Sequence, residues 1–231
     1  METTLCVARG ERRVPVICRS KRIKNVHLRV YPDGRVLLSM PVRTDSVWIR
    51  TFLEAKSDWI FRTLDRYARA GKPEEGAVRL FGRLRTLRVE RGRSGAALGE
   101  DALVLTLPDP TAERVRARTD RFVRELALSY FRERTDFFYP RVAALGAPEP
   151  SVRVRRMKSM WGNCNATKAA VCFNTVLVCA DPECIDYVVV HELTHLLVPG
   201  HGKNFYECLA RILPDWKQRR ARLNRLYAKY L

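Results

Sequence analysis

Three of the four histidines in this 231-residue chain, His191, His195 and His201, fall within eleven residues, and the first two frame the run His191-Glu192-Leu193-Thr194-His195. Imidazoles hold divalent ions and a carboxylate moves protons, so these residue types together point to metal-assisted hydrolysis. On an α-helix, residues four apart are separated by about 400° of turn, which leaves the two rings about 40° apart and one turn along the axis. Both can then reach one ion. Glu192 lies about 100° round from His191, close enough to meet a metal-bound water while staying outside the ligand set. A run of this pattern arises by chance roughly 0.004 times in a chain of this composition, which disfavours a pair of surface histidines beside a glutamate.

Two ligands leave a third to be found. Pro199-Gly200 breaks the helix just past His195 and lets the chain fold back, which brings His201 toward the ion. The rival is Glu207, twelve residues after His195 on the following helix. Ligand type and chain geometry favour His201, and three protein ligands with an open fourth position describe a catalytic Zn2+. The expected chemistry is hydrolysis by a zinc-bound water that Glu192 activates. His27 stands alone in a strand-like run and is expected to be structural or exposed.

The elements that must position these residues are legible in outline. Short β-rich runs at 5–8, 14–18, 26–31 and 36–40, with a turn at Pro32-Asp33-Gly34, precede a helical period over 44–70 that stops at Gly71 and Pro73. A second β-rich patch follows at 78–81, 84–89 and 102–107, interrupted by the glycine-containing segment 92–99. Thr111 is placed to cap a long basic helix running to about Leu145. Strands are expected at 152–157 and 170–178, joined by a loop holding Trp161, Gly162 and Asn165. Asp181-Pro182 opens the histidine helix with an N-cap carboxylate, and helices at 203–213 and 215–230 close the chain. The expected fold is α+β: an N-terminal β-rich unit with a helical segment over 1–108, then a mainly helical domain with a few strands that bears the histidines over 109–231. No internal repeat or low-complexity tract is visible.

Composition narrows the setting. A formal net charge of +18 means positive surface potential, which suits acidic or phosphorylated partners, nucleotide and nucleic acid included. Seven cysteines with no CxxC pair fit neither a zinc ribbon nor a disulfide framework, and a reducing compartment fits best. The N-terminus lacks the apolar core of a secretory signal and no long apolar run occurs, so a cytoplasmic protein without a membrane span is expected.

Two blocks, Met157-Lys158-Ser159-Met160-Trp161-Gly162-Asn163-Cys164 and Ile185 through His195, followed by His201 and Phe205, resemble the YgjP-like metallopeptidases, relatives of SprT-type and other gluzincin-like zinc proteins. Tyr31-Pro32-Asp33-Gly34 and the helix through Trp59 extend the likeness over nearly the whole chain. The chain departs from the family's more usual residues at Met160, Asn163, Gly200 and Gly202, and Val198 stands where a metzincin has glycine, which excludes that family despite the shared spacing. The resemblance implies a zinc-peptidase fold, in which 109–231 is a zincin-like helical domain packed on a small β-sheet with the metal on the His191 helix, and a peptide or unfolded protein as substrate. It also carries two other readings: some members are described as metal-dependent pyrophosphatases acting on UTP, and SprT-type relatives act on proteins bound to DNA.

Outside the ligands, 173–178 is expected to offer a strand edge on which an extended peptide can lie. Arg153, Arg155, Arg156 and Lys158 suit a polyphosphate or an acidic peptide if they face the cleft, and Lys203, Asn204 and Tyr206 are candidates for stabilising an oxyanion.

Overall fold

The computed structural model describes residues 2–31, 33–69 and 76–231, so Pro32, Ala70 and the stop signals at Gly71 and Pro73 lie outside the described residues. Contacts divide the chain into two compact units, Met1–Pro73 and Glu74–Leu231.

In the first unit, strands β1 (Glu2–Arg9), β2 (Arg12–Lys21), β3 (His27–Val30) and β4 (Val36–Pro41) form one sheet in the order β1-β2-β4-β3, followed by α1 (Ser46–Arg69). Alternation decides which face is buried: Val36, Leu38 and Met40 of β4 point into a core shared with Ile49, Leu53, Ile60 and Phe61 of α1. Gly34 sits at φ +87 in the turn between β3 and β4, a conformation that costs glycine nothing. His27 is exposed on β3.

The second unit opens with β5 (Ala77–Leu80), β6 (Arg83–Arg91), β7 (Gly95–Leu98) and β8 (Ala102–Leu107), ordered β5-β6-β8-β7, and then α2 (Ala112–Ala143). This repeats the topology of the first unit, including a parallel pairing of its second and fourth strands, without any repeat in sequence. Turn positions and alternation set strand order, and both survive complete replacement of the side chains. β7 lies in the stretch expected to be loop, because Gly-Ala-Ala-Leu has weak strand propensity and is held by backbone pairing with β8. Contacts group this sheet with α2 and the chain that follows it. Leu80 belongs to the core built around α2, and the Phe81 and Gly82 amides donate to the carbonyls of Val178 and Cys179 at 2.8 and 3.1 Å.

Thr111 caps α2 as expected, its side chain accepting from the Arg114 amide at 3.4 Å. The helix buries Ala127, Phe131, Thr135, Phe138 and Val142, a stripe that begins only at mid-helix. Beyond it come β9 (Ser151–Arg155), β10 (Gly162–Asn165) and β11 (Ala170–Asn174), a three-stranded sheet in the order β10-β11-β9. Helices α3 (Pro182–Thr194), α4 (Lys203–Ile212) and α5 (Trp216–Leu226) complete the unit. No helix among the described residues is long and apolar enough to cross a membrane.

The expected strand over 173–178 is corrected on two points. Strand structure stops at Asn174 and the chain enters a 3-10 helix at Thr175–Cys179, and β11 is the central strand with both edges paired. Asn174 is the reason. Its buried carboxamide accepts from the Met157 and Val176 amides at 3.2 Å and donates to the carbonyls of Met157 and Met160 at 2.9 Å, which turns the chain and pins the 157–160 loop. Asp181 holds the N-cap position of α3, but its side chain makes no cap bond and pairs with Arg222 at 2.7 Å.

Helix α3 is apolar almost all round, with Ile185, Val189, Val190 and Leu193 completely buried. Burial of each such side chain contributes about 1.5–3 kcal/mol, so the helix is a rigid base for the histidines it carries. One polar tie orients it. Asp186 accepts from Arg134 of α2 at 2.7 and 3.1 Å and lies 3.6 Å from Arg219 of α5, all with little solvent exposure. Asp186→Ala is expected to lower unfolding free energy by about 3 kcal/mol, because the Arg134 guanidinium loses its counter-charge in a largely dry setting, while Arg219 keeps its pairing with Asp215 at 2.9 Å. Urea denaturation measures it, and a loss below about 0.5 kcal/mol would show that the pair behaves as an exposed one.

Candidate metal centre

His191 lies in the last turn of α3, His195 is its C-cap residue, and His201 stands just before α4. The turn between them closes through amide bonds from Leu197 and Val198 to the Thr194 carbonyl at 3.1 and 3.0 Å. This reverses the chain after His195 and delivers His201 to the same point. The Nε2 atom of His201 is 3.1 Å from those of both His195 and His191, and the three ligand atoms all lie within 4.8 Å of one another.

The donor set suits a cation. His195 Nδ1 lies 3.1 Å from the Val198 carbonyl, which can only accept, so the proton is on Nδ1 and a lone pair is left on Nε2. The His201 Nε2 atom must then donate to His195, and its single proton cannot also be aimed at His191. One cation accepting three lone pairs satisfies every contact. Zinc–nitrogen bonds of about 2.0–2.1 Å at tetrahedral angles place nitrogens roughly 3.3 Å apart, close to the spacing seen here. The bond from His195 Nδ1 to a carbonyl is the usual outer support of a metal-binding ring. His191 Nδ1 is buried with no partner among the described residues, and packing holds that ring: Tyr187 and Phe205 lie 5.7 and 4.9 Å away between centroids.

Burial, reinforced by His195, His201 and Arg220, pushes the His191 pKa down to about 3, which keeps the ring neutral and ready to donate its lone pair. His195 is lowered as well, again chiefly by burial. Glu192 is only 5% exposed, and burial pushes its carboxyl up to about 8. A dry carboxylate is a stronger base than one in water. The rival ligand Glu207 is exposed and paired with Lys203 at 3.7 Å, and it does not join the histidine cluster. Lys203 and Asn204 are also exposed, whereas Tyr206 lies 6.5 Å from the His201 ring and stacks on Trp216 at 4.9 Å.

One neighbour of Glu192 is read from the sequence only as part of a tight loop. Gly162 begins β10, and a Cβ built on it falls 2.8 Å from both Cγ and Oε1 of Glu192. The strand therefore presses its backbone against the carboxylate, and only glycine permits that approach. A glycine between two aromatic or polar residues carries no mark of such a contact, which arises only once β10 pairs with β11 and meets α3. If Glu192 moves protons, Gly162→Ala is expected to fold, retain metal and lose about 10²-fold in turnover, since a displacement of a reacting group by about 1 Å has that effect. Wild-type turnover in that variant would remove the contact from the argument. Arg220 of α5 is a second residue that only the tertiary structure brings forward: it lies near enough to act electrostatically on both His191 and Tyr187.

No curated protein sequence matches the chain significantly. The family model described as YgjP-like, metallopeptidase domain, matches residues 24–226, which includes all four predicted site residues and most of both units. With a match over that span and a three-histidine cluster able to hold a metal ion, the chain belongs to the YgjP-like metallopeptidase domain family.

Proposed function

We propose that the chain is a zinc-dependent peptidase in which His191, His195 and His201 hold the ion and Glu192 is the general base. The carrying observation is the contact of Glu192 with Gly162 at the start of β10, an edge strand of the β10-β11-β9 sheet. An unpaired strand edge recognises an extended peptide through main-chain hydrogen bonds, and here that edge ends at a buried carboxylate beside three convergent imidazoles. This edge replaces the one expected at 173–178. When bound, the ion supplies Lewis acidity, which polarises the scissile carbonyl and favours ionisation of the attacking water.

Glu192 takes a proton from that water and returns it to the leaving amine, so that one amide bond is cleaved and one water consumed. Burial of the carboxylate by Gly162 and α3 excludes bulk solvent from the transfer, and its raised pKa matches it to both halves of the task. The cysteine-rich, disulfide-poor composition supports a reducing location, for which the cytoplasm is the natural choice.

The test compares zinc-loaded wild type with Glu192→Gln on a random peptide library and on UTP, following peptide fragments and released pyrophosphate in parallel. Fragments that require Glu192 are expected. Glu192-dependent pyrophosphate release with no peptide cleaved would overturn the peptidase reading.

A further inference from the structure

The part of α2 that precedes its buried stripe borders a cleft of about 610 Å³ against the end of β9 and the start of the 3-10 helix at Thr175. Four arginines form its rim. Arg116 and Arg124 stand eight residues apart on one face of α2, and Arg155 and Arg156 come from the end of β9. All four are exposed, and none forms an ion pair with another described residue; Arg155 has only the Cys172 thiol beside it. Clustered guanidiniums repel one another, so four of them against the single carboxylate of Asp120 leave the rim with a positive excess that favours a bound anion.

The rest of the lining says which kind. Val123, Val154 and Val176 give the cleft an aliphatic floor, the last two being 8% exposed. No aromatic ring of the described residues lines it, so these residues offer no platform on which a base could stack. Asp120, one helical turn from both Arg116 and Arg124, adds a negative charge that a phosphate chain would have to face but that can accept a peptide N–H. Planar guanidiniums pair with carboxylates in a bidentate fork, and the valines accept an apolar side chain between them.

Strand register ties the cleft to the metal centre. Phe173 of β11 pairs with Val154 of β9 on one side and with Gly162 of β10 on the other, so cleft floor, central strand and the neighbour of Glu192 lie in one row. Two inter-strand spacings make that separation about 10 Å with the buried Phe173 between them, so a chain that touches both passes over the surface and not along the row. We propose that this cleft is an exosite for an acidic segment of the polypeptide substrate, in which carboxylates flank an aliphatic residue. The proposal rests on the peptidase reading for the origin of that segment.

The experiment measures fluorescence anisotropy of a short labelled peptide of alternating Glu and Val on full-length Glu192→Gln protein. A Lys-Val peptide, a Glu-Ser peptide and a single-stranded oligonucleotide of equal charge serve as comparisons. The Glu-Val peptide is expected to bind best, with affinity falling as salt rises. Reversal of two rim charges in Arg116→Glu/Arg156→Glu is expected to weaken it at least about tenfold, and Asp120→Asn to tighten it about threefold. The second variant guards against misfolding, because a damaged protein does not gain affinity. Turnover of short uncharged peptides by the wild-type background is expected to be unchanged by either set of substitutions.

Unchanged affinity in the double variant, equal binding of the Glu-Ser peptide, or tighter oligonucleotide binding that the double variant abolishes would each overturn the exosite. Binding that follows the expected pattern while wild type cleaves no peptide would instead sink the peptidase reading and leave the cleft as an acidic-peptide site.

Discussion

Glu192→Gln is expected to bind zinc as wild type does and to lose about 10²- to 10⁴-fold in kcat, the usual contribution of a positioned general base. The substitution preserves shape. A carboxamide fills the same space against Gly162 and below β10, so the strand and α3 keep their packing, but it cannot accept and return a proton. Because the carboxylate is not part of the three-nitrogen cluster, metal content separates the two roles of the motif. Single-turnover cleavage of a fluorogenic peptide together with metal analysis of the same sample measures both. Near-wild-type kcat would remove Glu192 from the mechanism, and loss of metal would make it a ligand.

The second large effect concerns the third histidine. His201→Ala is expected to reduce zinc affinity by more than the about 10- to 100-fold that follows loss of an outer-shell partner, because in the proposed site it removes one of three direct donors. His191→Ala and His195→Ala should behave alike, whereas Glu207→Ala should keep full affinity: its carboxylate is exposed and turned to Lys203. The readout is competition with a chromophoric chelator, supported by the thermal shift on zinc addition, which disappears when affinity falls below the metal concentration used. Full affinity in His201→Ala with loss in Glu207→Ala would reverse the ligand assignment. His201 is also the most exposed of the three imidazoles, so its removal should perturb the apo fold least.

The two kinds of information meet at different places in this molecule. The spacing His191, His195 is a helical spacing, and local geometry alone brings those rings to one side, with Glu192 next to them. A chain reversal between His195 and His201 is legible from Pro199-Gly200, although α3 already ends at Thr194 and the turn closes on the Thr194 carbonyl ahead of the proline. Cap and period signals likewise locate α2 and α3, since Thr111, Pro182 and the apolar stripes act within a few residues of themselves. The family likeness reaches further than any of these local arguments, because whole blocks of residues carry it.

What depends on partners distant in sequence was not legible. Thr175–Cys179 has the apolar composition of a strand, yet the Asn174 hydrogen bonds to the 157–160 loop turn it into a 3-10 helix and leave β11 in the centre of its sheet. The stretch Gly162–Asn165 has weak strand propensity, and pairing with β11 makes it the edge strand that faces Glu192. The second β-sheet joins the unit that carries α2 and the histidines because Leu80, Phe81 and Gly82 pack and bond against it, a choice no period in 74–108 encodes. Residue types and short-range spacing thus determined which side chains are able to bind a metal and move a proton. The dryness of Glu192, its contact with Gly162 and the rim of four arginines were decided only by tertiary packing, because burial and electrostatic environment are properties of neighbours that the chain order does not place side by side.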